Sequence, residues 1–233
     1  MKKITLLFLV TLTLLINQKS FSQTKIDGIS IFKIDKTNIK IIDSLANNGY
    51  SLKTCKDLYS CSKYKVSGMN IYEMVNDTIK PDMSLPMIKE NRTFVIGEYT
   101  VAGIKITNLE LNFYNDILFE IKSTGDLELQ TALKEKYNGT LKADKKEIAC
   151  RSIYGEFKEE EVTYTTTYRE DEKIKAYSVL KIYFDDKCKK NSLNYTLITN
   201  VKTEEIVNTK TREVTKKILE KKQQQKKAEL NKL

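Results

Sequence analysis

The sequence predicts an α+β fold of two consecutive helix-plus-antiparallel-sheet modules followed by a C-terminal basic helix, and three observations carry that prediction. Leu109, Leu111 and Phe113 alternate with Glu110, Asn112 and Tyr114, and the chain then turns on Asn115-Asp116 into Ile117–Ile121, the pattern of an antiparallel hairpin. Helix-forming runs twice precede strand-forming runs, and both helices stop at an Asn-Gly pair, Asn48-Gly49 and Asn138-Gly139. Beyond Val201 the chain holds strong helix formers, no Gly and no Pro. Runs of helix and runs of strand, rather than strict alternation, favour antiparallel sheets over a βαβ fold. The boundaries read from the sequence are 1–22 for a signal peptide, 23–124 and 125–201 for the two modules, and 202–233 for the tail.

The first segment has Lys2 and Lys3, an apolar run from Ile4 to Ile16, and small residues at Ser20 and Ser22. This is the anatomy of a secretory signal peptide cleaved near Ser22, and the apolar run is shorter than the roughly 20 residues that span a bilayer. The chain is therefore expected to be exported, periplasmic or secreted. In an oxidising compartment four cysteines read as two disulfides, and sequence proximity pairs Cys55 with Cys61 and Cys150 with Cys188. A zinc site would want C-x-x-C spacing or histidine partners, and the chain has no histidine.

Gly28–Lys33 reads as a short strand, and Asp35 or Thr37 as the cap of a helix running to about Asn47. Ser51–Thr54 and Tyr64–Met74 are weaker strand segments. Asn76–Asn91 contains both prolines, Pro81 and Pro86, and reads as a surface loop. Phe94–Val101 and Gly103–Thr107 lead into the hairpin, with a bend at Ala102-Gly103. A three-residue loop, Tyr114–Asp116, would set Phe113 opposite Ile117, Leu111 opposite Phe119 and Leu109 opposite Ile121, six apolar side chains on one face. A second helix starts at Thr124 or Asp126 and runs to Tyr137. Strands are then predicted over Glu147–Tyr154, Glu161–Tyr168, Ile174–Phe184 and Leu193–Asn200, joined by polar connections. In the tail, Val207, Val214 and Ile218 make a stripe long enough for the first half of a helix to dock.

The net charge is +9, and most of it belongs to the tail, where Lys202–Leu233 carries ten Lys or Arg against five Asp or Glu. Such a helix could touch an anionic surface, but without aromatic residues it lacks what single-stranded nucleic acid stacks on, which argues against a nucleic-acid partner. The absence of histidine removes the Ser-His-Asp and Cys-His arrangements and the commonest general base, and no G-x-x-x-x-G-K phosphate loop is present. A hydrolase acting on an envelope polymer would have to use a carboxylate pair, drawn from Glu159, Glu160 and Glu161, from Asp171 with Glu172, or from Asp185 with Asp186. All of these lie in polar connections or at strand ends, where acids are ordinarily solvated. No cofactor and no metal are expected.

Tyrosine is abundant, thirteen residues with no tryptophan. Tyr164 and Tyr168 share a face of one strand and Tyr177 and Tyr183 a face of the next, so a tyrosine-bearing sheet face is the candidate binding surface. The leading expectation is a non-enzymatic exported protein of the bacterial envelope that binds another protein or an envelope component. The residues L-x-L-x-F-Y-N-D-x-L-F-x-I from Leu109 to Ile121, with L-x-x-K-Y-x-G from Leu133 to Gly139, resemble a pattern in small exported bacterial proteins. The tandem order of helix and four antiparallel strands, with one disulfide per half, is also similar to the β-lactamase inhibitor protein fold. What that resemblance implies is a two-module α+β binding scaffold, with no contact residues to carry over.

Overall fold

A computed structural model describes residues 25–56, 68–76, 81, 83, 85–152 and 155–230. The expected signal peptide and Cys61 lie outside the described residues. The chain opens on a small hairpin, β1 (Gly28–Ile29) and β2 (Phe32–Lys33), where the sequence suggested one strand. Ser30 breaks it with a φ of 53°, and a Cβ on Gly28 would lie 1.9 Å from the Phe32 carbonyl oxygen, so only glycine allows the two strands to close. Helix α1 (Ile41–Asn47) follows without a side-chain cap. Thr37, expected to cap it, instead accepts the Lys33 N–H and donates to the Ile31 carbonyl, so its hydroxyl closes the hairpin.

Among the described residues the remaining strands form one nine-stranded sheet: β3 (Ser51–Cys55), β4 (Asn70–Met74), β5 (Asn91–Val101), β6 (Ile104–Tyr114), β7 (Ile117–Thr124), β8 (Thr140–Ser152), β9 (Gly155–Glu170), β10 (Ile174–Phe184) and β11 (Lys190–Asn200). Helix α2 (Leu127–Tyr137) lies between β7 and β8 in sequence, and helix α3 (Val201–Leu230) follows β11 directly. The spatial order is β3-β4-β5-β6-β7-β11-β10-β9-β8, antiparallel except for β3 with β4.

This order overturns the expected pair of helix-plus-sheet modules. Strand β7 pairs with β11 from Glu120–Thr199 to Thr124–Tyr195, so the strands of the two expected modules belong to one sheet. The physical reason is visible in the side chains: Ile121 meets Ile198 across that seam, and both are fully buried. Two separate sheets would leave both strands as exposed edges with apolar rows, whereas one sheet removes both edges. A single core follows. Ile71, Phe94, Ile96, Leu109, Leu111, Phe113, Ile121, Ile198 and Ala176 form a continuous row across the sheet, covered by Phe32 of the hairpin, Ile42 and Leu45 of α1, and Leu129 and Leu133 of α2. Both helices therefore pack on one face of one sheet.

The central hairpin also differs in register. Asn115 and Asp116 both have positive φ, 48° and 63°, and make a two-residue loop with Tyr114 opposite Ile117 and Phe113 opposite Leu118. A two-residue loop alone would put Glu120 among the leucines. A bulge absorbs the extra residue, so that Asn112 pairs with Glu120 and Leu111 with Ile121. Leu118 and Ile121 thus face the core, while Phe119 and Glu120 sit side by side on the opposite face. There Phe119 packs against Ile88 and Val207, the latter from α3.

Candidate functional site

The opposite face of the sheet is divided. Among the described residues, over β5, β6 and β7 it is covered by the first turns of α3 and by residues 85–88, and over β9, β10 and β11 it is open. The division follows from chain connectivity, because α3 begins on the residue after β11 and crosses back toward β7, where Val207 finds Phe119.

The register of β9 with β10 separates the four tyrosines singled out from sequence. Tyr164 lies opposite Leu180, and Tyr168 reaches the core side, its hydroxyl 2.9 Å from the Ser178 hydroxyl and 3.2 Å from the Gln130 carbonyl of α2. Tyr177 pairs with Thr167 on the open face, and Tyr183 follows it there by alternation. The four do not share a surface. The open face instead joins Tyr177 and Tyr183 to Tyr195 of β11, whose ring stands edge-on to Tyr177 at 6.2 Å. Lys175 and Lys181 lie over Tyr177 and Tyr183, each 5.4 Å from the ring centre. Thr163, Thr165 and Thr167 form a parallel row on β9, and together with Val179 these groups line a shallow groove of about 480 Å³. Burial, with Tyr195 beside it, pushes the Tyr177 hydroxyl up to about 12, so it is a neutral hydrogen-bonding group at any physiological pH.

The acids singled out from sequence do not form a site. Asp171 sits in the β9–β10 turn, where the Ile174 N–H, the Arg169 guanidinium and the Lys173 N–H hold its carboxyl down to about 2. Asp185 sits in the β10–β11 turn, lowered by the N–H groups of Lys189 and Lys187. The two lie at opposite ends of β10, and both are turn residues. Glu160 is paired with Lys145 at 2.9 Å, and Glu161 accepts the Phe184 N–H at 3.3 Å. Among the described residues the side chains of Glu159, Glu172 and Asp186 make no hydrogen bond or ion pair.

The acids that do converge were not visible as a motif. Alternation on β6 places Glu110 and Asn112 away from the core, the bulge brings Glu120 beside them, and Glu204 arrives from the first turn of α3. They line a cleft of about 320 Å³ whose other walls mix apolar side chains, among them Met74, Leu85, Val95, Phe119 and Val207, with the neutral polar Asn91, Thr93, Asn208 and Thr211. The Asn112 amide donates to Glu110 at 2.9 Å and to Glu120 at 2.8 Å, and its carbonyl accepts from the Thr93 hydroxyl. Burial, aggravated by Glu110 and Glu204, raises Glu120 to about 7. On the cleft wall the Asn91 side-chain oxygen is buried without a partner, as is the hydroxyl of Thr199, the residue across from Glu120 on β11.

Cys150 and Cys188 are bonded, joining β8 to the β10–β11 turn. The other expected pair cannot be followed because Cys61 lies outside the described residues. Among the described residues no group of three or more acids and cysteines is arranged to hold a metal ion, and no helix is long and apolar enough to cross a membrane. No family model, no curated protein and no solved structure matches this chain.

Proposed function

We infer that this protein is an exported, non-enzymatic interaction protein of the bacterial cell envelope, holding a protein or envelope component against the open face of β9, β10 and β11. The observation that carries this reading is the divided face: one half is covered by α3, and the other presents tyrosine, threonine and lysine side chains that no other described element covers. Tyrosine offers a large contact area at small entropic cost, and threonine and lysine supply hydrogen bonds and charge around it. The Cys150–Cys188 disulfide is compatible with an oxidising compartment. The cleft acids give less support to a hydrolase. Two catalytic carboxylates must flank the scissile bond, and here the Asn112 amide already lies between Glu110 and Glu120.

The test is affinity capture from an envelope extract, using the immobilised chain. Tyr177→Ala combined with Thr165→Lys should reduce recovery of the captured component at least about tenfold, as expected when a central aromatic contact is removed. A chain ended after Leu219, which lacks only exposed turns of α3, should capture as well as the full chain. Equal recovery by the double variant contradicts the open-face reading. Loss on truncation, with steep dependence on salt, would transfer the binding to the lysine-rich helix.

A further inference from the structure

We propose that the proximal half of α3 is a protonation-controlled clasp: it lies against β6 and β7 while Glu120, in the cleft it shares with Glu110 and Glu204, carries its proton, and lifts away when Glu120 ionises, extending the open face toward β7. This rests on the open-face reading for its purpose, though not for its mechanism.

Little holds the helix down. Val207 is its one buried side chain, packed on Phe119 and Ile88, the half-buried Val214 packs on the same cluster, and Lys210 adds a 3.3 Å contact to Glu90 and lies over the Tyr114 ring. At its start the Thr203 N–H is accepted by Asn200, whose own amide is tied to Asp35, so the first turn is a fixed point about which the helix can swing. Against these few contacts stand three carboxylates from three elements in one cleft. The charged and titratable groups facing Glu120 are Glu110 from β6, Lys122 from its own strand and Glu204 from α3, with Tyr177 of β10 and Tyr195 of β11 farther along the sheet. Strand β5 and residues 85–87 contribute only neutral side chains to the cleft. Among the described residues no lysine or arginine lines it, so of these only the amide of Asn112 and Lys122 oppose the charge that ionisation of Glu120 adds.

The direction follows from proton linkage. Glu120 holds its proton to about pH 7 when covered, against an ordinary 4.5. The docked form therefore binds more protons between those values, its advantage is complete below the ordinary value, and it is lost as pH rises through about 7. Between pH 6 and pH 8.5 the docking equilibrium should weaken about tenfold.

Amide hydrogen exchange on the full chain, corrected for the intrinsic dependence on pH, reads this directly. Protection of residues 207–214, beyond the fixed first turn, should fall about tenfold between pH 6 and pH 8.5, while β6 and β10 stay protected. Glu120→Gln should keep α3 protected at both pH values, and Glu204→Gln should make the fall smaller and move its midpoint downward, because the Glu204 charge is one of the causes that hold Glu120 above its ordinary value. A fall of the same size in Glu120→Gln, or no fall in the unaltered chain, overturns the clasp. Tyr177→Ala serves as the separating control. If it loses capture while the pH response of α3 persists, both readings stand; if it captures normally while that response persists, the clasp survives and the open-face reading fails.

Discussion

Phe113→Ala is expected to destabilise the protein by about 3 to 5 kcal/mol, the range for removing a fully buried aromatic ring from a packed core. Phe113 has no exposed surface and meets Phe94 edge-on at 5.8 Å, in the middle of the row that runs across the sheet. Its neighbours Leu111, Leu118 and Ile121 are equally buried; Leu111 and Ile121 are held by strand pairing on both sides, and Leu118 by β6 on one side and by backbone bonds to Asp35 and Thr37 on the other, so they cannot collapse into the space the ring leaves. Since domains of this kind have only about 5 to 15 kcal/mol of total stability, a large part of it should disappear. In urea the midpoint should drop with little change of slope. Leu141→Ala, at a 53% exposed position of edge strand β8, should change stability by no more than about 0.5 kcal/mol. A loss under about 1 kcal/mol at Phe113 would mean that the described core is not the one the chain uses.

Replacing Cys150 and Cys188 together by alanine should cost up to about 4 kcal/mol, from the chain entropy released when a cross-link over 38 residues is cut. The loss should be spatially uneven. Strand β8 is the sheet edge and pairs only with β9, its residues 141–147 are exposed on both sides, and Cys150 is its one buried side chain of those described. Without the tie to the β10–β11 turn, β8 and the start of β9 should gain hydrogen exchange first, while the Leu111–Ile121 region keeps its protection. Uniform loosening of the whole sheet would contradict this picture, as would unchanged exchange in β8.

These expectations show which parts of the fold were legible from sequence and which were not. The strong period of Leu109–Phe113 located the central hairpin, and Asn138 takes the left-handed conformation, φ 51°, that its place at the end of α2 suggested. Both are local signals. The joining of β7 to β11 is not local: nothing in the alternation of Ile117–Thr124 says that its free edge will meet Lys190–Asn200 rather than solvent. Two apparent modules therefore became one sheet. The bulge at Phe119-Glu120 was likewise hidden, because the period of two is the same on either side of it and only the register across the hairpin shifts. That single residue decides whether Glu120 sits among leucines or beside Glu110, and the cleft depends on it.

The tyrosines teach the same lesson about parity. Within each strand the face shared by Tyr164 and Tyr168, or by Tyr177 and Tyr183, could be read from spacing alone. Whether the two pairs shared a surface depended on how β9 is set against β10, and the irregularity at Ala176-Tyr177 lies in that pairing. Tyr195 was missed because it stands alone in its strand. Its importance comes from lying diagonally across from Tyr177, a relation that appears only once β10 and β11 are paired.

The central claim is that one continuous sheet carries both the covered cleft and the open groove, and scanning calorimetry of the disulfide-intact chain tests it most directly. The account predicts a single transition with calorimetric and van't Hoff enthalpies in agreement, moved as a whole to lower temperature by Ile198→Ala at the β7–β11 seam. Two separable transitions, only one of them shifted by Ile198→Ala, would contradict it.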